Sequence, residues 1–116
     1  MKVIALIYGD EQRWDSLSDD ERSSVYARYR AFGENAGASV VDGAELASTR
    51  TATTVRVRDD GVIVTDGPFA ETKEALGGFY VLDVQSLDEA AALAARIPGA
   101  STGAIELRAA HEEDAS

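Results

Sequence analysis

Asp66, Gly67, Pro68 and Phe69 stand in a row, followed by Glu71, Lys73 and Glu74 and closed by Gly77 and Gly78. Pro68 has a fixed φ and restricts the residue before it, so a stiff turn with an extended Gly67 is expected here. Asp66 heads that turn, where its carboxylate can accept from the following amides. In a cleft, a carboxylate beside an aromatic ring and a compensating Lys73 takes a raised pKa and works as a general acid or base. The same residues also spell an Asx turn and a short solvated helix carrying Glu71, Lys73 and Glu74, with Asp66 serving the backbone alone. Residue chemistry leaves both readings open.

Aromatic residues are the second group with a possible role. Tyr8, Trp14, Tyr26, Tyr29, Phe69, Phe79 and Tyr80 are candidates to line a cleft between a sheet and the first long helix, although aromatics at such spacing are usually core. Tyr8 and Tyr26 stand out because a hydroxyl at a strand end or on a cleft wall can orient a substrate. Trp14 falls in a polar stretch and suits a lid or a subunit contact. The candidate site is therefore Asp66 as the catalytic group, with Tyr8, Trp14, Tyr26, Phe69 and Lys73 around the substrate. His111, the one imidazole, sits beside a run of tail carboxylates and makes a poor zinc site, so no metal and no cofactor are expected. Glu106 reads equally as a partner of Lys73 or an arginine and as a solvated strand residue.

Other chemistry has no support. The chain has no phosphate-binding loop, no G-x-G-x-x-G, no G-x-S-x-G elbow and no H-E-x-x-H. Lys and Arg total 11 against 21 Asp and Glu, a net charge of −10. Such a surface repels nucleic-acid phosphate and anionic membrane alike. Without cysteine there is neither a disulfide framework nor a thiol nucleophile. The opening MKVIALIYGD carries too short an apolar run for a leader or a span, which points to the cytoplasm.

These residues need elements to position them. At 116 residues, 45% of them hydrophobic, the chain suits one globular domain over 1–110 and a frayed acidic tail over 111–116. The apolar run over 2–8 predicts a central strand. Ser18 and Glu21 form a capping box that opens a helix over 19–36, with Val25, Tyr29, Phe32 and Ala36 inward, Gly37 as the stop and Arg22 on the wet side. Strands follow over 38–44, 53–58 and 62–65, the last two joined by a tight turn at Asp59, Asp60 and Gly61. In that hairpin Val55 and Val57 should be buried and Thr54, Arg56 and Arg58 wet. A strand over 78–84, a second S-x-x-E helix from Ser86 with Leu87, Ala90, Ala94 and Ile97 on its buried face, and a strand over 103–109 complete the chain.

That order is α+β: a ferredoxin-like βαβ(ββ)βαβ antiparallel sheet with helices on one face. The uncovered face is cheaply closed by a second copy stacked sheet on sheet, so a homodimer is expected.

DGPFAETKE at 66–74, with LIYGDE, TATTVRVRDDG and GGFYVLDVQSLDEA around it, resembles the DGPFAETKE family within the YCII-related proteins. The resemblance runs over nearly the whole chain. It implies a dimeric α+β barrel, in a group whose members act on small, often aromatic, molecules. It also implies a mainly bacterial protein, and a link to extracytoplasmic-function sigma factors, whose genes often lie beside such genes. Other YCII-related proteins are thought to use a histidine on the first helix and an aspartate before a proline. Here Tyr26 and Ile97 occupy the matching positions, so that pair does not carry over. Three readings result: a homodimer binding a small molecule near the 66–74 loop, an enzyme with Asp66 as acid or base, and a regulatory partner in a sigma-factor system.

Overall fold

The structure, a computed structural model, describes residues 1–111. The tail expected to fray lies outside these residues from 112 onward. The elements are β1 (Lys2–Gly9), α1 (Glu11–Ser16), α2 (Asp19–Ala36), β2 (Val40–Glu45), β3 (Thr53–Arg58), β4 (Gly61–Asp66), β5 (Ala75–Asp83), α3 (Leu87–Ala94) and β6 (Ala104–Ala109). Short 3₁₀ turns lie at Gly37–Ser39, Thr49–Thr51 and Pro98–Ser101. Strands β2, β5, β1 and β6 form one antiparallel sheet in that order, and β3 and β4 form a separate two-stranded sheet. The architecture is α+β and compatible with a ferredoxin-like fold.

Alternation along the central strands separates the two faces of the sheet. Val3 and Ala5 of β1 and Leu82 of β5 turn inward and meet Phe32 of α2, Ala90 and Ala94 of α3, and Ile97, all nearly without exposure. Small residues on α3 let its backbone approach the sheet closely. Ile4, Leu6, Phe79 and Val81 point the other way, stand outside that core and are half-buried. Leu87 departs from the expected face: it is 49% exposed, because it sits in the first turn of α3, outside the stripe formed by Ala90, Ala94 and Ile97.

Local signals set the helix starts. Ser18 Oγ accepts from the Glu21 amide at 3.1 Å and Glu21 Oε1 accepts from the Ser18 amide at 2.9 Å, the full reciprocal box. At α3 the serine half is made, while Glu89 reaches one residue further back, to the Gln85 amide at 2.8 Å.

The hairpin forms as expected, and its register places Val55 opposite Val64 and Val57 opposite Val62. Asp59 and Asp60 are its two turn residues, at φ 50° and 64°, and Gly61 already belongs to β4. Positive φ at both central positions gives the turn the twist that two antiparallel strands need. The apolar face is not buried: Val55, Val57, Val62 and Val64 are 60 to 69% exposed, because among the described residues no other element packs against it closely.

The turn at Pro68 also departs from expectation. Gly67 has φ +96° rather than an extended conformation, a region open to glycine and closed to residues with a Cβ. Its amide is drawn inward to the Ala52 carbonyl at 2.7 Å, and Thr54 Oγ1 donates to its carbonyl at 2.8 Å. Residues 68–74 form no helix.

Candidate functional site

A cleft of about 850 Å³ opens between α1, α2 and the ends of β1, β2 and β5. All four tyrosines, Tyr8, Tyr26, Tyr29 and Tyr80, and the single tryptophan, Trp14, line it, together with Phe79. Only Phe32, in the core, and Phe69 lie elsewhere among the aromatics.

Helix α1 holds Trp14 in place, in the polar stretch for which no element was expected. A helix of six residues is too short to persist alone. Asp10 caps it by accepting from the Gln12 amide at 2.9 Å. Glu11 then ties it to the distant 3₁₀ turn, accepting from the Thr49 amide and the Thr49 hydroxyl, each at 2.8 Å, and from Ser48 Oγ at 3.3 Å. The Thr49 amide, more than any other contact, holds the Glu11 carboxyl below the usual carboxylate range. At the other end Arg22 of α2 donates to the Trp14 and Asp15 carbonyls at 3.2 and 2.8 Å, and its guanidinium lies 5.8 Å from the Trp14 ring centre. Arg22 is thus half-buried against α1 instead of standing free on the wet face.

Tyr26 and Tyr29, one turn apart on α2, present the next wall. The Tyr26 ring meets Trp14 edge to face, with centroids 5.5 Å apart and planes at 84°. Its hydroxyl donates to Glu45 Oε1, at the end of β2, at 2.9 Å. That bond to a carboxylate, helped by burial, raises the Tyr26 pKa above the ordinary phenol value. Burial raises Tyr29, with the Gly99 amide opposing, and burial raises Tyr80. All three keep their protons near neutrality and serve as donors, not bases. Gly43 of β2 makes room for Tyr80: a Cβ there would stand 2.7 Å from both the Phe79 carbonyl oxygen and Tyr80 Cδ1.

Of the residues singled out from sequence, Tyr8, Trp14 and Tyr26 are brought together in this cleft. Asp66, Phe69 and Lys73 are not part of its lining; all three are exposed, Phe69 to 78%. The Asp66 carboxylate makes no hydrogen bond or ion pair among the described residues, so it does not form the Asx turn either. The segment after it does reach the cleft, through Ala75 and Gly77 at the start of β5. Glu106 is exposed and makes no ion pair among the described residues. Ile97, at the position that matches the aspartate of other YCII-related proteins, is 1% exposed and packs in the core. Glu45 and Glu11 escaped sequence reasoning, since neither lies in a motif and both act on residues far along the chain.

The family model for the YCII-related domain matches residues 1–113. The chain belongs to the YCII-related family. An uncharacterized protein of Rhizobium meliloti (strain 1021) is 41% identical to this YCII-related chain over 118 residues, which covers 93% of the chain and 90% of that protein. Among the described residues no helix is long and apolar enough to cross a membrane.

Proposed function

We propose that this YCII-related protein is a cytoplasmic homodimer that binds a small, aromatic-compatible organic molecule in the cleft walled by Tyr8, Trp14 and Tyr26. The observation that carries this reading is the gathering of all four tyrosines and the single tryptophan around one cleft of about 850 Å³, a volume suited to a metabolite-sized ligand. Rings supply apolar contact area, and phenol hydroxyls beside them, with the Tyr26 hydroxyl held by Glu45, supply polar points that fix orientation. Isothermal titration of the protein with a panel of small aromatic compounds tests it, with Tyr26→Phe and Trp14→Ala as comparisons. Heat of binding that both variants weaken supports the reading. Binding that neither variant alters sends the ligand elsewhere.

Surface area supports the dimer. The chain exposes 8121 Å², where the scaling for a compact monomer of 12.3 kDa gives roughly 6,100 Å². Its radius of gyration is 16.5 Å against roughly 13 Å for a compact domain of this length. The excess, about 2,000 Å², exceeds the roughly 800 Å² per partner of a standard interface. Four exposed valines on one face of the hairpin, and the half-buried row Ile4, Leu6, Phe79 and Val81, are the apolar surfaces a second copy would cover.

A second reading makes Asp66 a general acid or base in a proton-transfer or elimination step. It is favoured by an unpartnered, exposed carboxylate held three residues from a largely exposed Phe69, on a backbone anchored through Gly67. Asp66→Asn discriminates: retained binding with lost turnover supports the enzyme, and unchanged turnover removes Asp66 from the chemistry.

A further inference from the structure

We propose that the cleft selects an organic cation, an ammonium or guanidinium group carried on an aromatic or apolar body, with Glu45 as its counter-ion and the rings of Trp14 and Tyr26 beside it. The proposal rests on the small-molecule reading above and names the class of molecule.

Charge in the cleft leans acidic at one point. Five carboxylates line it, Asp10, Glu11, Asp15, Glu21 and Glu45, against the guanidiniums of Arg13 and Arg28, with Arg50 on Asp15 and Arg22 on Trp14 beside them. Four of the five are committed elsewhere. Asp10 and Glu21 cap helices, Glu11 holds Thr49, and Asp15 pairs with Arg50 at 3.1 Å. Glu45 alone receives just one neutral donor, the Tyr26 hydroxyl, and makes no ion pair among the described residues. A carboxylate that accepts from one phenol still has the lone pairs of its second oxygen for an incoming donor.

The rings around it suit the same charge. The face of an indole or phenol is its negative side, and cations settle against it. Arg22 already does so at Trp14, at 5.8 Å from the ring centre. A net charge of −10 adds a long-range field that concentrates cations and repels anions before contact.

Trp14 is the only tryptophan, so its emission reports on the cleft without labelling. Three probes share one body and differ in charge: 2-phenylethylammonium, 2-phenylethanol and phenylacetate. Titration at low salt, followed by Trp14 fluorescence and by calorimetry, is expected to show the ammonium binding about tenfold tighter than the alcohol and phenylacetate weakest. Glu45→Gln preserves shape and an acceptor for Tyr26, and should reduce the preference to less than about twofold. Asp88→Asn removes the same charge from α3, outside the cleft lining, and should leave the preference unchanged. Equal binding of alcohol and ammonium, or tightest binding of phenylacetate, overturns the cation assignment and leaves the small-molecule cleft standing. No signal from any probe into the roughly 10 mM range of a fragment this size overturns both.

Discussion

The Tyr26 hydroxyl donates to Glu45 Oε1 at 2.9 Å, joining the middle of α2 to the last residue of edge strand β2 across the mouth of the cleft. The bond raises the pKa of the tyrosine, orients the carboxylate and closes one wall of the site.

Its first consequence is in alkali. The folded-state pKa of Tyr26 is raised, mainly by the bond to Glu45, and those of Tyr29 and Tyr80 are raised mainly by burial. The folded chain therefore holds phenol protons that the unfolded chain has already released. The stability this confers is complete below the unfolded value near 10 and is lost as pH climbs through the higher folded values. Urea midpoints should stay level up to about pH 10 and fall above it. Glu45→Gln should bring one tyrosine back toward ordinary titration in the ultraviolet. An unchanged titration curve would mean the bond does not exist in solution.

Glu11 is the tie that makes α1 a helix, so Glu11→Ala should cost about 1–2 kcal/mol, the loss of three hydrogen bonds to a carboxylate net of solvation. Denaturant midpoints read the cost, and a red shift of Trp14 emission reads the loosening of α1. Because the Glu11 pKa is lowered from 4.5, its contribution is present above that value and is lost as pH falls through the folded one. Wild type and Glu11→Gln should therefore converge in stability in acid.

Gly43→Ala places a Cβ 2.7 Å from the Phe79 carbonyl and the Tyr80 ring. The carbonyl belongs to a paired strand and cannot yield, so the variant should lose about 1–3 kcal/mol and shift the Tyr80 ring resonances. An unperturbed Tyr80 spectrum would argue against the close packing of that ring on β2.

Gly67→Ala forces an L side chain to φ +96° just before Pro68, at an expected cost of about 1–3 kcal/mol. The accompanying sign is faster proteolysis within 67–74, as the anchoring bond from the Gly67 amide to Ala52 gives way.

The valine face of the hairpin supplies the test of assembly. Val55→Lys combined with Val64→Glu puts opposite charges on facing residues that are 61% and 63% exposed in one chain, so a monomer should tolerate it within about 0.5 kcal/mol. If a second copy covers that face, sedimentation equilibrium should show the dimer dissociating. A dimer that persists unchanged puts the interface elsewhere, with the Ile4 to Val81 row as the remaining candidate.

What the sequence alone determined is what neighbours along the chain can decide. The box at Ser18 and Glu21 starts α2 where it was expected, because both bonds close within three residues. The existence of the hairpin at Asp59 and Asp60 was equally legible, although the turn is one residue tighter than expected and Gly61 already pairs with Arg58. The strand and helix order, and with it the α+β class, followed from such periods.

The tertiary structure decided whatever depends on residues far apart in the chain. Helix α1 exists because Glu11 finds Thr49, 38 residues on, and a six-residue stretch cannot supply that energy itself. Glu45 entered the site because Tyr26, 19 residues earlier, reaches it across the fold. The alternation that predicted a buried face for Val55 and Val57 is a statement about a strand, and only the arrangement of the whole chain showed that face in water. Proline chemistry alone suggested an extended Gly67; in the folded chain its amide reaches the Ala52 carbonyl, 15 residues earlier, with φ at +96°. Local sterics and short hydrogen bonds are written in consecutive residues, whereas the closure of long loops depends on where the core brings their ends.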